Sequence, residues 1–216
     1  MFDNTSFKTS KENMRYDRDQ FLTVSNHPKS LYFRFYPWQS LGLTQSEKRL
    51  FPNDLLSFDH AYRLTGGGIV FHCPGDIVFS HAAPIYHRLL PNKLKDRCLW
   101  MSKTIQSALI KEGISVDLAA DLPAPQSDSN IMFCNAYHNP YECILENQKI
   151  CGIALKKTRN SIIFQGSIHL QNTAIWFPEL HHSYGSFFTK GCSHLTLPSV
   201  DSMIHSIQQE FQTRLS

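Results

Sequence analysis

The chain has 216 residues, 42% of them hydrophobic and 18% charged, with a formal net charge of +3. That is enough apolar material for a real core in one large or two small domains. The slight, dispersed charge gives no signal for a nucleic-acid surface or a polybasic membrane patch, and neither is expected. No apolar run approaches a membrane span, and the start Met1-Phe2-Asp3-Asn4-Thr5-Ser6 has no signal-like apolar stretch, so the expected compartment is cytoplasmic.

Residues 1–12 read as a loose polar segment. A short helix is expected over 13–22, ended by a turn at Asn26–Pro28. Leu31-Tyr32-Phe33-Arg34-Phe35-Tyr36 alternates, with Leu31, Phe33 and Phe35 on one face and Arg34 on the other, which predicts a strand. Residues 46–61 read as a mixed connection into Gly66-Gly67-Gly68. Ile69-Val70-Phe71 and Ile77-Val78-Phe79 then read as the two strands of a hairpin around Cys73-Pro74-Gly75-Asp76. Over 92–111, Leu94, Cys98, Met101, Ile105 and Leu109 recur at three and four, predicting a helix that Gly113 ends. The Pro- and Ser-broken stretch 119–130 is a loop. Strands follow at 130–133, 141–146 and 149–155, the last two joined at Asn147-Gln148, and then at 161–164 and 167–170, broken at Gly166. Ser199 is placed to cap a final helix whose stripe is Val200, Met203, Ile204, Ile207, Phe211 and Leu215. The expected fold is α+β, one domain with a mixed, largely antiparallel sheet flanked by helices.

Chemistry concentrates in few places. A glycine triplet between Arg63, Thr65 and a strand is either a plain tight turn or a loop of bare N–H groups suited to an anion or a developing oxyanion. Cys134 follows an apolar strand and precedes a turn-rich stretch. It is either inert or a nucleophile, the latter needing a nearby cation such as His138, Lys156 or Lys157. Lys157 and Arg159 share a face by alternation. The six cysteines form no CxxC and are expected as free thiols. His181-His182 with Cys192 and His194 fits no closed zinc pattern, and no metal is expected.

Several ordered segments together resemble the catalytic domain shared by lipoate–protein ligase A, biotin–protein ligase and the lipoyl-type octanoyltransferases. They are Asn13-Met14-x-x-Asp17; Arg34-Phe35-Tyr36-x-Trp38; Ser40-Leu41-Gly42-x-x-Gln45; and Arg63-x-Thr65-Gly66-Gly67-Gly68-x-Val70-x-His72. From Cys134 to Gly166 the match is ungapped, through Tyr141-Glu142, Lys149-x-x-Gly152-x-Ala154 and Gly166-Ser167-Ile168. The resemblance covers residues 13–216 as one catalytic domain without an accessory domain after it. Tyr62, Cys73, Gly152-Ile153-Ala154, Arg159 and Gln165 depart from the family pattern.

This resemblance implies transfer of an octanoyl or lipoyl group to a lysine of a lipoyl domain of 2-oxoacid dehydrogenases or of the glycine-cleavage H protein. Cys134 matches the acyl-accepting cysteine of the transferase branch, with acyl carrier protein as donor and no cofactor. Lys157 and Arg159 are the expected catalytic cations. Arg63, Thr65, Gly66, Gly67, Gly68, His72, Gly152, Ala154 and Gly166 are the expected substrate-binding set. The alternatives are an ATP- and Mg-dependent ligase working through lipoyl-AMP, and a non-catalytic relative that binds acyl groups or lipoyl domains.

Overall fold

A computed structural model describes residues 2–27, 29–122, 132–134 and 139–216. Seven strands form one sheet in the order β1-β2-β6-β10-β9-β8-β7. They are β1 (Phe2–Asp3), β2 (Tyr32–Pro37), β6 (Ile77–Pro84), β7 (Asp117–Leu118), β8 (Cys143–Leu145), β9 (Gln148–Lys157) and β10 (Ser161–Ile168). Among the described pairs of this sheet only β1–β2 is parallel. A second sheet, β4-β3-β5, is built from β3 (Gly42–Ser46), β4 (His60–Arg63) and β5 (Val70–His72).

The pleat assigns the two faces of the large sheet. Phe35, Phe79 and Gly166 lie in one cross-strand row and Phe33, His81 and Phe164 in the next. Helices α2 (Leu94–Lys111) and α5 (Val200–Leu215), with the single turns α3 (Thr173–Trp176) and α4 (His181–Tyr184) between them in sequence, follow in the chain; α2 and α5 cover this face with Cys98, Met101, Ile105, Met203, Ile207 and Phe211 in one continuous core. Ser199 caps α5 as expected, its hydroxyl accepting from Ser202 N at 3.1 Å. Gly113 follows α2 at φ +84 and stops it. The opposite rows are Arg34–Ser80–Gln165–Ala154 and Tyr36–Val78–Ser167–Gly152. They face helix α1 (Ser10–Asn26) and the small sheet.

Several sequence expectations change. The first residues are not loose: Phe2 and Asp3 pair with Phe33 and Arg34. Helix α1 starts at Ser10 because Thr9 and Glu12 form a capping box, a device worth about 1 kcal/mol. Residues 42–63 carry two strands rather than a plain connection; β3 is short, polar and wholly buried, so it shows no alternation of apolar residues. Residues 69–79 do not form a hairpin. β5 pairs with β3, whereas β6 pairs with β2 and β10. The Asp76 carboxylate accepts from Cys73 N, Leu170 N and Gln171 N, and so ties the turn to the chain leaving β10. β10 runs through Gly166 without a break, and the glycine serves close packing rather than a turn: a methyl there would lie 2.3 Å from Gly152 O and from the Phe79 ring. The β8–β9 turn lies one residue early, at Glu146 (φ 48) and Asn147 (φ 62). Pro28 of the expected turn, the expected loop over 123–130 and the start of the expected strand at 130–131 lie outside the described residues. No described helix is long and apolar enough to cross a membrane.

Arg34 is fully buried and holds α1 to the sheet. Its Nη1 donates to Asp17 Oδ1 at 2.7 Å, its Nη2 to Asn13 Oδ1 at 2.7 Å and its Nε to Thr5 O at 2.8 Å, and its guanidinium lies 3.6 Å from the Tyr36 ring centroid. Removing one member of such a pair strands the other charge. Arg34→Met should therefore lower the unfolding free energy by about 3–5 kcal/mol in chemical denaturation. Arg34→Met with Asp17→Leu should cost less than the single change, and a larger loss in the double variant would contradict this account.

His81 is buried between Phe33 and Phe164, its Nδ1–H donating to Tyr32 O at 2.9 Å. Burial above all pushes its pKa down to about 3. The unfolded chain takes up this proton near pH 6.5 and the folded chain does not, so the stabilisation is complete above that value and declines as pH falls toward the folded pKa. The expected slope is about 1.4 kcal/mol per pH unit. Denaturation midpoints of wild type and His81→Phe between pH 7 and 5 should diverge, the variant being flatter; parallel curves would refute the assignment.

Candidate functional site

A largely apolar pocket lies between the two sheets, floored by Val78, Gly152, Ala154 and Ser167 and walled by Met14 of α1 and Val70 of β5. The floor follows from the pleat rows, which bring small side chains side by side on β9 and β10. Cys134 and Lys149 also line this pocket.

Lys149 reaches the pocket through an irregularity in β9. Ile144 pairs with Lys149, but the neighbouring Cys143 pairs with Cys151, so Ile150 is an extra residue and the alternation resets across it. Lys149 therefore lies over Gly152, whose missing side chain gives it room: a methyl there would stand 2.8 Å from Lys149 Cε. The ammonium is buried, 2.5 Å from Glu142 Oε1, and donates to Cys134 O at 2.7 Å. Cys134 Sγ is 3.9 Å from the same nitrogen. Glu142 is fixed in turn by Asn139, whose backbone N and Nδ2 donate to its two oxygens at 2.9 and 2.8 Å. Burial raises the Glu142 carboxyl above its ordinary range, outweighing the opposing pull of Lys149.

Cys134 is held against the glycine loop by backbone bonds, Ile69 N donating to Met132 O at 2.7 Å and Cys134 N to Ile69 O at 3.0 Å. Arg63 shapes that loop from within, Nη2 donating to Gly66 O at 2.9 Å and to Gly68 O at 2.8 Å. Gly67 has φ +97, and a methyl on it would stand 2.9 Å from Arg63 Nη2 and 3.6 Å from Cys134 Sγ. Thr65 donates to Gln165 Oε1 at 3.1 Å, and Gln165 Nε2 donates to Asp17 at 2.8 Å, which links the loop to the buried Arg34 pair. His72 stacks on Trp38 and meets Thr44 Oγ1 at 2.8 Å. Burial first, then His169 and Arg63, push its pKa well below the usual histidine range. His169 sits nearby, its Nδ1 3.4 Å from Asp76 and its Nε2 3.2 Å from Ser167 Oγ.

Of the residues expected from sequence, Arg63, His72, Cys134, Gly152, Ala154 and Gly166 all line the pocket. Thr65, Gly66, Gly67 and Gly68 form the adjacent loop. Lys157 and Arg159 do not join them. β9 ends at Lys157, both side chains are exposed, and neither lines the pocket. Lys156 pairs instead with Glu47 at 2.6 Å. The cation beside Cys134 is Lys149, which the sequence reading did not single out and simple alternation misassigns because of the extra residue; its place in Lys149-x-x-Gly152-x-Ala154 is the signal that could have found it. His138 lies outside the described residues. Tyr62 points outward and packs on Phe51, while Cys73 is buried, its thiol pushed up by burial and by Asp76. All six cysteines are free thiols. Among the described residues no three metal-ligating side chains converge.

Residues 10–216 match the family described as the lipoyl protein ligase A/B catalytic domain. No curated protein matches the chain. Among solved structures, one from Thermoplasma acidophilum with bound lipoic acid superposes with a TM-score of 0.73 at 15% identity, covering 99% of this chain and 85% of its own. A bipartite lipoate protein ligase studied with its E2 lipoyl domain, also from Thermoplasma acidophilum, gives 0.72 at 14% identity over 99% and 82%. Lipoate-protein ligase A bound with ATP gives 0.64 at 14% identity over 99% and 84%. At these identities the likeness establishes the fold.

The glycine loop offers a paired test. Gly66 does not have positive φ, and a methyl on it would meet nothing within 4 Å, whereas Gly67 is left-handed and pressed against Arg63. Gly67→Ala should cost about 1–2 kcal/mol in chemical denaturation, and Gly66→Ala should stay within about 0.5 kcal/mol of wild type. Equal losses would mean that the loop is not held as described.

Proposed function

The chain belongs to the lipoyl protein ligase A/B catalytic-domain family, and we propose that it transfers an octanoyl or lipoyl group to a lysine of a lipoyl domain through a thioester on Cys134. The observation that carries this reading is the sulfur of Cys134, 3.9 Å from the buried Lys149 ammonium at the wall of an apolar pocket. The acyl chain lies in the pocket with its carbonyl at Cys134. The Cys134 sulfur attacks the carbonyl carbon of an acyl thioester such as acyl-acyl carrier protein. The donor's C–S bond breaks, and the donor leaves as a thiol carrying the proton that Cys134 gave up. Negative charge on the carbonyl oxygen is met by Lys149 and by backbone N–H groups near the glycine loop. The acceptor's neutral amine then attacks the enzyme thioester, Cys134 leaves, and the amine's surplus proton returns to the sulfur.

Support for a lipoyl-domain acceptor comes from the Thermoplasma ligase, which was studied with its E2 lipoyl domain; the glycine-cleavage H protein presents a lysine of the same kind. The buried Lys149–Glu142 pair beside the thiol favours catalysis over a binding-only role, because a binding pocket gains nothing from desolvating two charges. A second reading, ATP- and Mg-dependent ligation through an acyl-adenylate, is favoured by the exposed Gly66 of the loop, which has open space above it where a phosphate would find room.

Intact-mass measurement separates these readings when the protein is incubated with a lipoyl domain and either octanoyl-acyl carrier protein or lipoate with ATP. Wild type should carry an acyl adduct that Cys134→Ser lacks. Cys134→Ser and Lys149→Ala should each slow acceptor modification by about 100-fold or more. Lys157→Ala and Arg159→Ala, altered at exposed positions, should stay within about twofold of wild type. Full ATP-dependent activity in Cys134→Ser would establish ligation instead, and absence of product under both conditions would leave a binding role.

A further inference from the structure

The outer edge of the small sheet is open. β4 is a terminal strand of the order β4-β3-β5, and it runs parallel to β3. Along a strand in a parallel pair, residues bonded to the neighbour alternate with residues whose N–H and C=O point away from it. Leu43 N donates to Asp59 O at 2.8 Å and Glu47 N to Arg63 O at 3.0 Å, so Asp59, Ala61 and Arg63 are the residues turned to β3. The backbone groups of His60 and Tyr62 therefore face the open side, and among the described residues no hydrogen bond takes them up. An edge of this kind is a template for one more strand.

Cations border that edge. An open groove of about 680 Å³ runs between α1 and β4, lined by His60 and Tyr62 from the strand and by Lys11, Met14, Arg15 and Arg18 from the helix. Positions 11, 14, 15 and 18 fall on one stripe of α1. Lys11 has no ion-pair partner among the described residues, Arg15 reaches Asp19 only at 3.9 Å, and Arg18 shares Glu47, at 2.9 Å, with Lys156. Among the described residues that line the groove there is no carboxylate. The segment that fits is thus extended and carries carboxylates of its own. Its place ties it to the acyl site: Met14 lines both the groove and the acyl pocket, and β4 leads through Arg63 into the glycine loop beside Cys134.

We propose that the open edge of β4 and the cationic stripe of α1 form a docking surface for the acceptor protein, which adds an extended, carboxylate-bearing segment to β4 as a further strand. Main-chain bonds to His60 and Tyr62 set the register, and Lys11, Arg15 and Arg18 select the charge. The inference rests on the acyl-transfer reading above and says how that reaction's protein substrate is held.

Calorimetric binding of the unmodified lipoyl domain tests this apart from catalysis. Lys11→Glu with Arg15→Glu should weaken the Kd about tenfold or more at low salt, and the gap to wild type should shrink as salt screens the exposed charges. Tyr62→Pro removes an edge N–H that β3 does not use, and should weaken the Kd by about tenfold as well. Both variants should form the Cys134 acyl adduct at the wild-type rate, and both should raise KM for the lipoyl domain with kcat little changed. Because proline can disturb the strand, the charge variant, altered only at exposed helix positions, keeps the test independent of folding. An unchanged Kd in the charge variant, or no binding by wild type, would overturn the inference. So would adduct formation slowed as much as acceptor binding is weakened, which assigns the groove to the acyl donor. Absence of the adduct in wild type would sink the acyl-transfer reading alone, since the Kd comparison does not depend on Cys134.

Discussion

A guanidinium buried under a helix is the constraint that the rest of the molecule satisfies. Arg34 stands in the middle of β2, fully shielded, and cannot lose its charge in any accessible condition. Its donors must therefore be met inside the protein. Asn13 and Asp17 on α1 meet them, which fixes the helix in rotation as well as position. Asp17 also accepts from Ser80 on β6 and Gln165 on β10, so one carboxylate gathers three strands and a helix. Through Gln165 and Thr65 the same network ends at the glycine loop beside Cys134. The site's shape is thus inherited from a polar core several residues away.

Polar burial recurs around the pocket for a reason tied to its chemistry. A pocket that shelters an acyl chain has to exclude water, and the groups that handle the carbonyl then sit in a medium that penalises charge. Lys149 and Glu142 are tolerated there because each holds the other and both have further backbone or amide partners. Arg63 is treated in the same way, its donors turned onto the loop carbonyls.

Much of the fold was legible because periodicity reports burial on one face. Phe33 and Phe35 opposite Arg34, the stripes of α2 and α5, and the stop at Gly113 all follow from that. β3 was not legible, since Gly42-Leu43-Thr44-Gln45-Ser46 is buried throughout, Leu43 in an apolar cluster and Thr44 and Gln45 in polar contacts, and carries no apolar period. Within the site, Cys134, Arg63, His72 and the small residues of β9 could be read from their order along the chain. Lys149 could not be assigned a face, because alternation counted through Ile150 gives the wrong parity. The resemblance selected Arg159 and alternation added Lys157, but β9 ends at Lys157 and both side chains are exposed.

The two halves of the site also differ in how far the chain must travel to make them. Lys149 and Glu142 are joined by a two-residue turn, with Glu146 and Asn147 at positive φ, so their encounter closes a minimal loop. Cys134 meets Ile69 only after β6 and α2 have been laid between them. Loop-closure entropy makes the first contact cheap and the second dependent on a nearly finished domain. The cation, its carboxylate and the thiol thus come from one short stretch of chain, Cys134 lying 15 residues from Lys149, and only the glycine loop that covers them is brought from far away in sequence.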